Sequence, residues 1–149
     1  MGFVPESVHL RGRFTAASGT PFGVYVGRLS DRPLECIMLA GGGGTGGGCD
    51  PTLFSQGPIA FVEGASGGPA KSKRTDFEIA GVVADSVARL DVVDSLGRVT
   101  RIDTSGASKA FFFELKPQDL ARGVGVTTLV ARDAGGAVVA SEDVSEPGP

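Results

Sequence analysis

Alternation of apolar and polar positions is the dominant rhythm of this chain. In "SVHLRGRF", residues 7–14, Val8, Leu10, Gly12 and Phe14 fall on one side and Ser7, His9, Arg11 and Arg13 on the other. A period of two predicts a half-buried antiparallel strand. "PFGVYVGRL" repeats it, with Phe22, Val24 and Val26 on the inner side, and "LECIML" runs on into the first cysteine. "PIAFVE" at 58–63 is a short strand candidate, and the polar, breaker-rich "GASGGPAKSKRTD" after it reads as a long exposed loop.

From Phe77 the rhythm tightens. Strands are predicted over 77–84, 87–94, 98–103, 110–115, 126–133 and 137–142. Two connections share one pattern, D-x-x-G-x-V: "DSLGRV" from Asp94 with Gly97, and "DAGGAV" from Asp133 with Gly136. A type I turn favours Asp first, where its carboxylate bonds the backbone two residues on. It favours Gly fourth, where a left-handed conformation releases the next strand. Both are therefore expected to be hairpin turns with structural aspartates. The one helical signal, "KPQDLARG" at 116–123, has Pro near a first-turn position and Gly at the stop. Short strands at regular spacing, without room for crossover helices, predict an all-β antiparallel sandwich with one short helical turn near 117–122.

"IAGVVADSVARLDVVDSLGRV", the aromatic strand "AFFFEL" and the closing "LVARDAGGAVV" carry a resemblance. Residues 77–142 resemble the bacterial immunoglobulin-like domains of extracytoplasmic proteins, and the whole chain is similar to extracytoplasmic domains of high-GC actinobacteria. The resemblance implies an immunoglobulin-like sandwich and no particular activity. One domain is expected over 1–142, with 143–149 ("SEPGP" at its end) as a flexible tail.

Composition narrows the function classes. A length of 149 residues suits one domain that buries roughly 68–70% of its extended-chain surface. The 24 glycines and 9 prolines are concentrated in a few places. A net charge of −3 offers no broad basic surface for nucleic acid, and no apolar run approaches the ~20 residues of a membrane helix. "MGFVPESVHLRGRF" has neither a basic start nor an apolar h-region, so no signal peptide is expected in it.

Several stretches invite chemistry. "GASGGP" at 64–69 nearly spells the nucleophile motif of trypsin-like proteases, but Ala65 stands where that family has Asp. The sole histidine, His9, sits beside two arginines on a strand, so Ser66 lacks an oriented base. In "GGGGTGGG", Gly41 to Gly46 has the glycine spacing of a phosphate loop, yet Gly47 and Gly48 replace its lysine and hydroxyl. A flexible connection is expected there, with a small anion nest of backbone amides as the lesser reading. Asp85, Asp94 and Asp133 could ring one end of a sandwich as calcium ligands, though turn capping accounts for them without a metal. "KSKR" at 71–74 reads as a solvated loop. Of Phe111, Phe112 and Phe113, two rings should point inward and Phe112 outward, available to a partner.

Cys36 and Cys49 carry the strongest signal. Their spacing fits neither a redox motif nor a zinc knuckle. Either both are free apolar thiols, or a disulfide closes the glycine stretch. The second is favoured because glycine has the most backbone freedom to lose on folding, and a link restricts that freedom in the unfolded chain. Such a bond needs an oxidising compartment, which points to an extracytoplasmic or secreted location, with the cytoplasm as the alternative. The expectation is a non-catalytic module that acts by protein contact or as a spacer. It has no cofactor, no metal, no nucleic-acid partner and no transmembrane segment in this chain; any membrane or wall tether lies in the parent protein. The rivals are a small-ligand-binding or hydrolytic protein with a site in the 40–76 loops, and a structural assembly protein.

Overall fold

In a computed structural model, the described residues are 2–32, 34–41, 44–50, 53–55, 57–66 and 76–144; the side chains of residues 44, 45, 65 and 66 are not described. Four strands form the first sheet as a simple meander: β1 (His9–Thr15), β2 (Pro21–Arg28), β3 (Glu35–Gly41) and β4 (Gly44–Asp50). A second sheet has the order β5 (Ile59–Ser66), β6 (Asp76–Val83), β9 (Ala110–Glu114). The third has the order β11 (Val138–Asp143), β10 (Val126–Arg132), β7 (Arg89–Asp94), β8 (Val99–Asp103). Every pairing is antiparallel. A short helix, α1 (Pro117–Ala121), joins β9 to β10 with Pro117 at its first position and Gly123 at φ 74° beyond its end. The fold is an all-β antiparallel sandwich, as the strand periodicity requires.

The chain passes from the second sheet to the third after β6, returns at β9 and crosses again through α1 to β10. These two sheets enclose the larger core, in which Phe77, Ile79, Leu90, Val92, Phe111 and Leu129 are buried. The opposite face of the second sheet is covered too. Ala60, Ala80 and Val82 form a second core with Val24 and Ile37 of the first sheet, flanked by Phe14, Val26, Leu39, Val62 and Phe112. The β5–β6–β9 sheet is thus the middle layer of three, and its residues alternate between two dry interfaces.

Phe112 shows what that layering does. Its neighbours Phe111 and Phe113 face the larger core, as expected, and Phe112 faces away from it. Its partner is the first sheet of its own chain. The Phe112 ring packs 4.6 Å from Phe22, edge to face, and 5.8 Å from Phe14. Strand β6 explains how one strand serves both interfaces. "IAGVV" is apolar at consecutive positions, which suits a strand buried on both faces. Gly81 sits between Phe61 of β5 and Phe111 of β9. A Cβ there would collide with the Ala60 carbonyl oxygen and lie 2.8 Å from the Phe61 Cα, so backbone would have to move. Gly81→Ala is expected to destabilise by about 1–3 kcal/mol, the usual cost of overpacking, read as a lower urea midpoint at unchanged slope.

Two expectations about the first half fail for local reasons. Leu10 does not share the inner face with Phe14. The register slips between Leu10 and Gly12, so Arg11 is a bulge and everything before it changes face. Leu10 then lies outside, 38% exposed and over Gly23 beside Tyr25. The glycine stretch is likewise no loose connection, because Gly44–Asp50 pairs residue for residue with β3. The basic "KSKR" stretch and the tail from 145 lie outside the described residues.

Candidate functional site

Within the first sheet, side-chain alternation decides which groups face the second core and which face out. Val24, Ile37 and Leu39 point inward. Tyr25, Cys36 and Met38 therefore point outward, and Tyr25 stands directly across from Met38. On the next strand Cys49 stands across from Cys36, and Gly47 across from Met38. The two cysteines are bonded, with their Cα atoms 4.0 Å apart. So close an approach marks the narrow kind of antiparallel pair, the one that exchanges no backbone hydrogen bonds across the ladder. Cys36 is almost fully buried and Cys49 is exposed.

The amino-terminal segment folds over this outer face. Val4 donates its amide to the Arg28 carbonyl, and Ser30 donates to the Gly2 carbonyl, both at 2.9 Å. Arg28 donates its amide to Ser7 Oγ at 2.8 Å. Phe3, bridged to Leu29, and Val8 thereby close over Gly27, within 3.5 Å of where a Cβ would lie. The result is an apolar concavity of about 570 Å3. Its walls are Phe3, Val8, Tyr25, Met38 and the disulfide, and its floor is Gly46–Gly48. None of its lining residues carries a formal charge. A second cavity of about 270 Å3 lies behind it, between the layers, with Glu35, Asp50 and Glu142 among its lining. Glu35 accepts the Leu53 amide at 3.0 Å. Glu142 is pushed above the usual carboxylate range, first by burial and then by the charge of Asp50.

The aspartates of the two D-x-x-G turns are occupied by their own backbones. Asp94 Oδ1 accepts the amides of Leu96 and Arg98, and Gly97 has φ 78°. Asp133 Oδ1 accepts the amides of Gly135 and Ala137, and Gly136 has φ 87°. Slight burial opposes ionisation of Asp94, but the bonds from Arg98 and Leu96 outweigh it and hold its carboxyl below the ordinary value. The two turns close opposite ends of the third sheet, since Asp94 pairs near the start of β10 and Asp133 follows its end. A calcium ring through both is therefore geometrically excluded, and no group of metal-ligating side chains occurs among the described residues.

His9 lies exposed on β1 of the first sheet, while Ser66 ends β5 in the second sheet, across from Asp76. The Ser66 side chain and residues 67–69 of "GASGGP" lie outside the described residues.

Sequence reasoning passed over two clusters. Asp91, 4% exposed, accepts hydrogen bonds at Oδ2 from Arg132 Nε (2.9 Å) and Arg89 Nη2 (3.2 Å). Its signal was a lone acid between Leu90 and Val92. The second cluster joins Asp76, Glu78 and Glu114 at one end of the middle sheet, where Glu78 pairs with Glu114 across β6 and β9. Burial raises the Glu78 carboxyl above its ordinary 4.5, and the charges of Asp76 and Glu114 raise it further. A folded value above the unfolded one gives stability that is complete below about 4.5 and lost as pH rises through the folded value. Glu78→Gln is therefore expected to raise the melting temperature at pH 7 and to leave it nearly unchanged at pH 4, checked by melts across that range.

The groove residues were legible only in part. "GVYVG" put Tyr25 on the outward side with glycines flanking it, but nothing local showed that Phe3 and Val8 would return to cover Gly27. Comparison with models of known protein families, with curated proteins and with solved structures finds no match.

Proposed function

We propose that this chain is a non-catalytic β-sandwich module of an extracytoplasmic protein and that it works by contact with another protein. The observation that carries this reading is the uncharged concavity of about 570 Å3 on the outer face of the first sheet. An uncharged concavity can receive an anchoring side chain of a partner protein. The Cys36–Cys49 bond that frames it agrees with an oxidising compartment. The crossing of the chain between the second and third sheets supports the resemblance to bacterial immunoglobulin-like domains.

Tyr25 stands in the groove wall, and Leu96 is 53% exposed on the turn after β7. A photoreactive phenylalanine analogue at Tyr25, illuminated in the producing cells, is expected to give a discrete heavier adduct, and the same group at Leu96 none. No adduct at Tyr25 would contradict the contact reading. A second reading, capture of a small apolar ligand, draws on the same volume, which lies in the range of small-molecule sites. That ligand would leave the Tyr25 variant without a protein adduct.

A further inference from the structure

Resting on the protein-contact reading, we propose that the free edge of β4 accepts an extended segment of a partner protein as an antiparallel fifth strand. Alternate large apolar side chains of that segment lie across Gly47 into the groove beside Met38.

The edge is available. β4 pairs only with β3, and among the described residues no backbone group of β4 has a partner on its other side. Because Cys36 and Cys49 form the narrow pair, the amide and carbonyl of Cys49 point away from β3, and the period of two sends those of Gly47 and Thr45 the same way. The edge is also undefended. Protein sheets protect their edges with charges, bulges, proline or shortness. β1 has a bulge and carries Arg11 and Arg13. β11 has a register shift and carries Glu142 and Asp143. β8 and β9 have five residues each, with charged side chains, and β5 carries Glu63. β4, "GTGGGCD", has no charge before its last residue.

The groove says which strand fits. In strand addition, backbone bonds supply affinity and pockets for alternate side chains supply specificity. Gly47, across from Met38, leaves a gap in the outer face between Met38 and the free edge. A side chain from a fifth strand would close it. A second copy of this chain does so poorly, because antiparallel β4 pairing sets Gly47 against Gly47 and brings no large side chain to the groove. Charge orients the segment. Asp50 ends β4 directly across from Glu35, and the amino end of an antiparallel fifth strand lies beside Asp50. A lysine or arginine is expected there, followed by alternating aliphatic residues.

The test uses the oxidised full chain and a fluorescent octapeptide with an amino-terminal lysine followed by alternating valine and threonine. Anisotropy is expected to show saturable binding. Residues whose side chains enter the groove also donate their amides to β4, so N-methylation at the valines should weaken binding at least tenfold and at the threonines less than twofold. Met38→Lys, with its melting temperature checked, should weaken it at least tenfold. Equal effects of the two methylations would overturn strand addition, as would no saturable binding to folded, oxidised protein. A concentration-dependent dimer that protects the β4 amides and ignores the peptide would overturn it in favour of self-pairing. A Tyr25 adduct in cells together with no peptide binding would sink this proposal and spare the contact reading.

Discussion

Phe112→Ala is expected to lower the unfolding free energy by about 3 kcal/mol and to loosen the first sheet from the middle one. Truncating a fully buried phenylalanine costs about 3–5 kcal/mol. Phe112 is only partly buried, which sets the estimate at the lower end. Its losses are nevertheless concentrated. The ring is the shared partner of Phe14 and Phe22, and those two also touch each other at 6.2 Å. Each aromatic pair is worth about 0.5–1.5 kcal/mol beyond the area it buries. Phe111→Ala, one residue earlier, opens a cavity in the larger core instead. Hydrogen exchange separates the two. Phe112→Ala should speed exchange of β1–β3 amides well before those of β7 and β10, and Phe111→Ala should speed the second and third sheets together. Uniform acceleration in the Phe112 variant would mean that the three layers unfold as a single unit.

Removing the Cys36–Cys49 bond is expected to cost roughly 3 kcal/mol, the chain-entropy value for closing a loop near this length; the separation is 13 residues. The consequence should be local as well as global. Four of the seven residues of β4 are glycine, and each costs about 0.5–1 kcal/mol in a strand relative to alanine. Gly47 has no space for a Cβ, which would meet the Ile37 carbonyl, so that position cannot recover the loss with a side chain. The covalent link to β3 offsets much of it. The Cys36→Ser/Cys49→Ser double variant should therefore melt several degrees lower, exchange its β4 amides rapidly and bind less of any partner of the groove. Retention of the wild-type melting temperature would show that β4 is held by something other than the bond.

Strands and turns were readable because their signals are local. "SVHLRGRF" and "PFGVYVGRL" alternate, and D-x-x-G spells its own turn. The bulge at Arg11 was not readable, since polar and apolar residues alternate straight through it. The run "GGGGTGGGCD" misled for a different reason. Glycine has no side chain by which to announce a face, and the strand exists through its pairing with "ECIMLAG" and the bond at its end. "AFFFEL" advertised one ring too many for a two-layer sandwich. Alternation placed Phe112 outward, but nothing local showed that the sheet of β1–β4 would fold back to cover it. The groove depended on all of these at once: the outward Tyr25 and Met38, the glycine floor, and the returning amino-terminal segment.

The state of the two thiols in living cells tests most directly whether an oxidised staple frames the proposed contact face. Cells would be treated with a membrane-permeant alkylating agent before lysis, and the intact chain weighed before and after reduction. The account predicts no alkylation until the bond is reduced, and then two additions, at Cys36 and Cys49. Two alkylated thiols in unreduced cells would contradict it, leaving β4 without its link and the extracytoplasmic reading without its support.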